Sequence, residues 1–175
     1  IHSHYWLSGI LGVKIQKKFN WHHLITFHTL GAVKNAACKE EHEPEVRMRN
    51  ERSLMQSCNH IITFTADEKK QITRLEPTAS GKISIVPCGV NFEQFKPMDK
   101  NAARDTLDLP CKIPVLIFVG RSVPIKGLTR LLNAMKLLKK TMCVKLIVVG
   151  GSDISSPDAI PLNIQINRLG IADCV

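Results

Sequence analysis

The chain has 175 residues, 44% of them hydrophobic and 22% charged, with 24 basic and 15 acidic side chains and a formal net charge of +9. These proportions exclude a disordered chain, a collagen-like fibre and a coiled coil, and no apolar run approaches the roughly 20 residues of a transmembrane helix. The sequence opens on Ile1 without a methionine or a basic leader and stops at Val175 in the middle of a pattern. We therefore expect an internal piece of a longer, cytoplasmic protein.

Short apolar runs alternate with amphipathic stretches along the chain. Strands are predicted at residues 24–27, 61–64, 83–86, 115–119 and 144–149, and helices at residues 44–57, 66–75, 102–107 and 128–138. The strands are apolar on both faces, which is typical of a buried parallel sheet. The alternation predicts an α/β, doubly wound architecture.

The alternation of predicted strands and helices is interrupted between residues 87 and 114. This stretch contains Gly89, Pro97 and Pro110, and the alternation restarts at Val115. We predict a domain boundary near residue 92, with a connecting segment to residue 112.

Ligands of open α/β sheets bind beyond the carboxyl ends of the strands, so the polar residues there are the candidates. Gly120 and Arg121 follow the strand at 115–119, and Lys126 precedes the helix that opens at Leu128. Two cations beside a tight turn suit a diphosphate, although an ordinary surface Arg and Lys explain the spacing equally well. The Val149-Gly150-Gly151 turn lacks the GxGxxG pattern and predicts only a close approach of backbone or ligand.

In the first half, His28 and Thr29 follow the strand at 24–27. The imidazole suits a sugar hydroxyl and the Thr hydroxyl suits a phosphate, but a lone His is more often structural. Arg49 is a further phosphate candidate, with a solvated helix face as the default for Arg47, Arg49 and Arg52. Gly9 and Gly12 make one side of the first helix small. Either a ligand or the sheet could then approach the backbone of the helix closely.

Histidines and cysteines give no metal site. His2 and His4 share a strand face, but His22 and His23 are adjacent and no carboxylate or Cys lies at a useful spacing. No CxxC pattern occurs among the six cysteines, which we expect to be reduced and mostly structural, with Cys143 buried beside its strand.

The positive charge is compatible with nucleic acid, a membrane surface or an anionic small substrate. Aromatic residues make up only 5% of the chain and no run of five basic residues occurs. Nucleic-acid binding is therefore not favoured, and an anionic substrate explains the same charge.

Several segments resemble glycosyltransferase family 4, whose members retain the anomeric configuration of the transferred sugar. They are residues 2–9, 26–34, 86–91 with 95–97, 118–121 with 126–127, and 148–151. The segments follow in the family's order and cover nearly the whole chain. Within the family, residues 28–36 resemble the inositol-phosphate glycosyltransferases most, and the sucrose-phosphate synthases next.

The resemblance implies a GT-B fold: two Rossmann-like doubly wound domains, both incomplete here. Residues 1–92 would form the C-terminal part of the acceptor domain, which is the N-terminal domain of the fold. Residues 93–175 would form the N-terminal part of the donor domain, which is its C-terminal domain. The implied reaction moves a sugar from a nucleotide donor, UDP-linked by expectation, to a hydroxyl of a phosphorylated polyol or sugar. No cofactor is required, and nothing in the segment supports Mg²⁺. The resemblance leaves open whether the protein forms a homodimer.

Site roles also follow from the resemblance. Arg121 and Lys126, with Gly120, would hold the donor diphosphate, and His28 would act as the catalytic residue beside the transferred sugar. The acceptor phosphate would be bound by Tyr5, Thr29 and Arg49. Other residues of the family's site would lie outside this sequence, so we expect negligible turnover from the 175 residues alone. The alternatives are an acceptor without phosphate, an inactive binding module and a basic nucleic-acid binder.

Overall fold

The computed structural model describes residues 1–37, 42–150 and 161–175. These residues form two compact units, Ile1–Phe92 and Glu93–Val175. Each unit is an α/β structure with its own parallel sheet and its own hydrophobic core.

The first unit is built on a four-stranded parallel sheet with the strand order β1-β2-β3-β4. His2 lies opposite Leu24 and His4 opposite Thr26, so the carboxyl ends of β1 and β2 meet at one edge. In chain order the elements are β1 (His2–His4), α1 (Tyr5–Phe19), β2 (Leu24–Thr26), α2 (Gly31–Ala37), α3 (Glu45–Ser57), β3 (His60–Thr63), α4 (Ala66–Leu75), a 3-10 segment (Pro77–Lys82) and β4 (Ile83–Ile85).

Helix α1 lies close to the sheet because of its glycines. A side chain at Gly9 would lie 2.6 Å from Ile25 Cδ1, and one at Gly12 would collide with the ring of His23. Both glycines are buried. Close packing of helix on sheet, and not an approach to a ligand, therefore explains the narrow face of this helix.

The core of the first unit lies between the sheet and the helices packed on it. Helix α4 begins where the Thr65 hydroxyl accepts a hydrogen bond from the Glu68 N–H at 3.1 Å, which satisfies one of the free donors of its first turn. Helix α3 contributes Leu54 and Met55 to the core. The fully or nearly fully buried apolar side chains are Ile25, Phe27, Leu30, Leu54, Met55, Cys58, Ile61, Ile72, Ala79 and Ile83.

The second unit pairs two parallel strands with helices on one face. Its elements are α5 (Lys100–Thr106), β5 (Val115–Val119), a 3-10 segment (Pro124–Lys126), α6 (Leu128–Leu138), β6 (Lys145–Val149) and α7 (Leu162–Leu169). Leu132, Met135, Leu146 and Ile171 form the centre of its core. Ile117 and Val119 point away from this core and are 65% and 70% exposed, so the expected burial of both faces is not found for β5.

The predicted strands and helices match the structure to within two residues at each end. The predicted burial of Cys143 is wrong. Its thiol precedes the buried part of β6 and is exposed, as are those of Cys88 and Cys111; among the cysteines that the structure describes, Cys58 and Cys174 are buried. Cys38 and Gly151 lie outside the described residues. In the described ranges, every helix is too short or too polar to cross a membrane.

Candidate active site

Three strands of the first unit deliver polar and aromatic side chains to one edge of the sheet. Tyr5 follows β1, His28 and Thr29 follow β2, and Phe64 follows β3. The rings of His28 and Phe64 lie 5.4 Å apart. The carboxyl edge of the sheet therefore gathers His28, Thr29 and Tyr5 as the sequence predicted for parallel strands.

The rings of three histidines, His2, His4 and His28, lie next to one another near this edge. His4 Nδ1 and His28 Nε2 share a hydrogen bond of 2.8 Å, and the rings of His2 and His4 lie 4.3 Å apart. His2 Nε2 bonds the Thr26 hydroxyl at 2.9 Å, and burial followed by the neighbouring His4 lowers the pKa of His2. Residues 1–37, 42–150 and 161–175 contain no group of three side chains arranged to hold a metal.

The backbone at this edge is held in an uncommon conformation. Tyr5 has φ 74° and His28 has φ 61°, both in the left-handed region that non-glycine residues rarely adopt. Such strain, about 1–3 kcal/mol per residue, persists where the surroundings fix the conformation, and it concentrates at functional sites.

Arg47 of helix α3 is the residue that fixes this loop. Its Nη2 donates to the carbonyl oxygen of Thr29 at 2.9 Å and to the Thr29 hydroxyl at 2.8 Å. Its guanidinium carbon lies 4.8 Å from the centre of the Tyr5 ring. Arg47 is only 2% exposed, so the solvated helix face assumed for it is wrong. The carboxylate four residues later in the helix binds the guanidinium of Arg47 in the interior.

That partner is Glu51, which is also 2% exposed. Arg47 Nε donates to Glu51 Oε1 at 2.6 Å, and the Gly31 N–H donates to the other carboxylate oxygen at 2.9 Å. Burial opposes the charge of Arg47, but the hydrogen bonds with Glu51 and Glu43 raise its pKa. We call Arg47 and Glu51 the loop clamp, because together they hold the backbone on both sides of Leu30.

A second acid completes the surroundings of Arg47. Glu43 Oε2 lies 2.9 Å from Arg47 Nη1, and Glu43 Oε1 accepts a hydrogen bond from Lys34 Nζ. The Lys34 hydrogen bond, which outweighs the effect of burial, lowers the pKa of Glu43. The carboxylate of Glu43 thus lies between two basic side chains, Lys34 and Arg47, and Arg47 in turn contacts Thr29.

Arg49 is not part of this group. It is exposed on α3 and lines a cavity of about 320 Å³ with Glu51, Arg52 and Leu75, whereas Thr29 and Tyr5 do not line that cavity. The structure thus brings Tyr5, Thr29 and Arg47 together, where the sequence interpretation named Tyr5, Thr29 and Arg49. The i, i+4 spacing of Glu43, Arg47 and Glu51 was the available signal for a buried ion pair.

The predicted donor residues lie at the carboxyl end of β5 in the second unit. The Gly120 N–H donates to the Val149 carbonyl at 2.9 Å, and Arg121 and Lys126 are exposed. Lys126 ends the 3-10 segment, and Gly127 (φ 75°) leads into helix α6. Exposed cations before a helix N-terminus suit an anionic ligand.

Gly150 makes the close backbone approach that the sequence predicted for this turn. It has φ 146°, and a side chain on it would collide with the carbonyl oxygen of Gly120. The ends of β5 and β6 therefore meet backbone to backbone, and only glycine fits. The next residue of the motif, Gly151, lies outside the described residues.

Comparison with known proteins gives the family. The model of Glycosyltransferase Family 4 matches residues 1–94. D-inositol 3-phosphate glycosyltransferase 2 of Catenulispora acidiphila is 36% identical over 183 residues, which covers 100% of this chain and 43% of that protein. D-inositol 3-phosphate glycosyltransferase of Mycobacterium bovis is 37% identical over 165 residues, which covers 91% of this chain and 34% of that protein.

Solved structures give the fold. Sucrose-phosphate synthase from Thermosynechococcus elongatus superposes with a TM-score of 0.87 at 30% identity, over 100% of this chain and 43% of its own. HepE of Anabaena, in complex with UDP and glucose, has a TM-score of 0.78 at 16% identity, over 99% of this chain and 46% of its own; this is a likeness of fold alone. The chain spans less than half the length of the relatives it matches. With more than half of its residues matched by the family model, the chain belongs to glycosyltransferase family 4 and has the α/β GT-B fold, as its sequence predicted.

Proposed function

We propose that the protein carrying this chain transfers a sugar from a UDP-linked donor to a hydroxyl of a phosphorylated polyol or sugar, with retention of the anomeric configuration. The observation that carries the proposal is the grouping of Tyr5, Thr29 and Arg47 beside His28 at one sheet edge. A phenol, a hydroxyl and a guanidinium are the groups that recognise a phosphate. Relatives named as inositol-phosphate glycosyltransferases support this choice of acceptor.

On the donor side, Arg121 and Lys126 would bind the diphosphate, with Gly120 shaping the turn between them and the strand. Their positive charge would stabilise the negative charge that develops on the leaving UDP. The UDP found with the HepE structure supports a nucleotide donor for this fold.

His28 would contact the transferred sugar. Its left-handed backbone and its hydrogen bond to His4 fix the direction of the imidazole. Because Nε2 is shared with His4, Nδ1 of the His28 ring is left for one hydrogen bond to a sugar hydroxyl, which would orient the sugar for transfer.

A second candidate is an acceptor without phosphate, in the same family. The observation that favours it is that the cations of the acceptor side already have acidic partners: Glu43 pairs with Lys34 and Arg47, and Glu51 pairs with Arg47. A neutral hydroxyl compound would need no net charge there.

The test is UDP release by the whole protein. UDP-glucose and UDP-N-acetylglucosamine would be offered with myo-inositol phosphate and, as the matched control, with unphosphorylated myo-inositol. We expect release that depends on the phosphorylated acceptor, and a product whose anomeric coupling in the proton NMR spectrum equals that of the donor. Equal release with both acceptors would overturn the phosphorylated acceptor and favour the second candidate. Inverted configuration would overturn retention.

A further inference from the structure

Two rings from neighbouring strands contact the ring of His28. His4 Nδ1 shares a hydrogen bond of 2.8 Å with His28 Nε2, and the two ring planes are inclined by only 28°. The centre of the Phe64 ring lies 5.4 Å from the centre of the His28 ring. Phe64 offers only an apolar ring, so His4 is the neighbour that engages a nitrogen of this imidazole.

His4 is itself held in place by its surroundings. It lies opposite Thr26 in the parallel pairing of β1 and β2, and the Ser8 hydroxyl donates a hydrogen bond to its carbonyl oxygen. The ring of His2 lies 4.3 Å from the ring of His4, and His2 Nε2 is bonded to the buried Thr26 hydroxyl at 2.9 Å. His4 therefore meets His28 from a fixed position at the end of a strand.

The bond to His4 restricts the direction of the His28 ring. An imidazole without a partner rotates about its Cβ–Cγ bond and exchanges its proton between the two ring nitrogens. While Nε2 of His28 is bonded to His4, such a rotation breaks the bond, so Nδ1 keeps one direction. A sugar hydroxyl both donates and accepts, so it can bond Nδ1 whichever of the two rings supplies the shared proton. The direction of Nδ1 is therefore what His4 controls.

Folding stability does not account for this contact. Both His4 and His28 are exposed, and neither belongs to the hydrophobic core of the first unit. An exposed hydrogen bond competes with water and contributes little to the free energy of unfolding. Yet the backbone of His28 (φ 61°) is held in the left-handed region, which fixes where its side chain starts, and His4 fixes where it ends.

We propose that His4 is a positioning residue for sugar transfer: its Nδ1 holds Nε2 of His28, so that Nδ1 of His28 stays directed at a hydroxyl of the transferred sugar up to the transition state. The inference rests on the proposed function. His4 touches no substrate in this arrangement and acts through His28 alone. Its effect belongs to the chemical step and to the sugar, and the UDP part of the donor does not depend on it.

The first test measures steady-state kinetics of the whole protein with variants of His4. His4→Phe keeps a planar ring but removes the nitrogen, so kcat should fall about tenfold, while the dissociation constant of UDP, which carries no sugar, stays unchanged. His4→Asn places an amide near the position of Nδ1 and should recover most of the loss. His4→Gln carries the same amide farther from the backbone and should stay low, so the Asn and Gln variants test the position of the hydrogen bond even if the Phe variant folds poorly.

The matched control is a histidine at the opposite edge of the same sheet. His60 begins β3, and its Nε2 is bonded to the Ser84 hydroxyl at 2.8 Å. His60→Phe removes one ring nitrogen and one hydrogen bond, as His4→Phe does, but far along the strands from His28. It should keep both kcat and the UDP affinity.

The second test is independent of activity. The ring nitrogens of His28 are followed by NMR in the whole protein without substrates, and their signals should move in His4→Phe and stay in His60→Phe. Unmoved His28 signals in folded His4→Phe, or equal kcat values for the Asn and Gln variants, would overturn the positioning role while the proposed function stands. An unmodified protein that transfers no sugar would overturn the proposed function and, with it, the role of His4 in transfer.

Discussion

Arg47 donates two hydrogen bonds from one nitrogen to Thr29, at 2.9 Å to its carbonyl oxygen and at 2.8 Å to its hydroxyl. A side chain from a helix thereby fixes both the backbone and the functional group of a residue on the loop after β2. The geometry of the acceptor side depends on α3 as much as on the strand that precedes the loop.

The two residues of the loop clamp, Arg47 and Glu51, should show strong coupling in their effects on the free energy of unfolding. Arg47→Met leaves Glu51 buried without its cation and should lower the free energy of unfolding by about 3–5 kcal/mol. Glu51→Leu should cost less, because Arg47 keeps Glu43 as an acidic partner at 2.9 Å. The double variant should lose clearly less than the sum of the two. Urea unfolding of the three variants measures this coupling. Arg49→Met, on the exposed face of the same helix, should stay within about 0.5 kcal/mol. Additive losses would contradict the clamp.

The donor side should depend on two cations. Arg121→Ala and Lys126→Ala should each weaken UDP binding about tenfold or more, because a hydrogen bond to a charged group contributes about 1.5–3 kcal/mol. Calorimetric titration with UDP gives the dissociation constants. Arg130→Ala removes an equal charge from the exposed side of α6 and serves as the control. Wild-type affinity in either test variant would remove that residue from the diphosphate site.

Two residues test the acceptor side: Thr29, which both the sequence and the structure indicate, and Arg49, which only the sequence indicates. Thr29→Val removes the hydroxyl that faces Arg47 and should raise the KM for a phosphorylated acceptor by about tenfold, the loss of one charge-assisted hydrogen bond. Arg49→Ala should raise the same KM by less, since Arg49 is exposed and Arg47 is the arginine that bonds Thr29. Steady-state kinetics at saturating donor distinguish them. A larger effect of Arg49→Ala would restore the role that was predicted for it from the sequence.

Stability should fall as the pH is lowered because of a buried histidine. His23 is 0% exposed, bonds the Ser3 hydroxyl through Nε2 at 2.7 Å, and has its pKa lowered below the ordinary 6.5, chiefly by burial. The unfolded chain then binds this proton more readily, so the free energy of unfolding decreases as the pH drops through 6.5 toward the lower native pKa. The slope from this one group is at most about 1.4 kcal/mol per pH unit.

Denaturant unfolding between pH 5 and pH 8 measures that slope. His23→Asn should flatten it, and the slope that remains belongs in part to His2, whose pKa is lowered as well. His22→Asn changes the exposed neighbour and should keep the slope. An unaltered slope in the His23 variant would show that burial of this imidazole does not control the acid limb.

Gly150 should tolerate no side chain. Gly150→Ala places a methyl group against the Gly120 carbonyl and strains φ, which should cost at least about 1–3 kcal/mol and weaken UDP binding through the displaced Gly120 turn. Thermal unfolding and UDP titration check both effects. Gly89→Ala, where the new methyl would meet nothing within 4 Å, is the control. Equal melting temperatures for the two variants would contradict the close approach of β5 and β6.

Sequence patterns predicted most of the elements, did not predict α2 and α7, and were insufficient for the ion pairs. Apolar runs such as 115–119 and the i, i+3, i+4 pattern from Leu128 depend on local periodicity, so their elements could be predicted. The burial of Arg47 could not, because Glu at i−4 and i+4 is equally typical of a solvated helix. Likewise, the exposure of Cys143 depends on where the strand enters the core, which periodicity does not specify.

The contacts of Thr29 and Gly31 also link the loop after β2 to the local stability of α3. Arg47 bonds Thr29 and Glu51 bonds the Gly31 N–H, so the loop keeps its conformation only while α3 is in place. Transient release of α3 would therefore abolish the acceptor side while the sheet persists. Amide hydrogens at residues 28–31 should exchange with the same opening free energy as those of α3, as one cooperative unit.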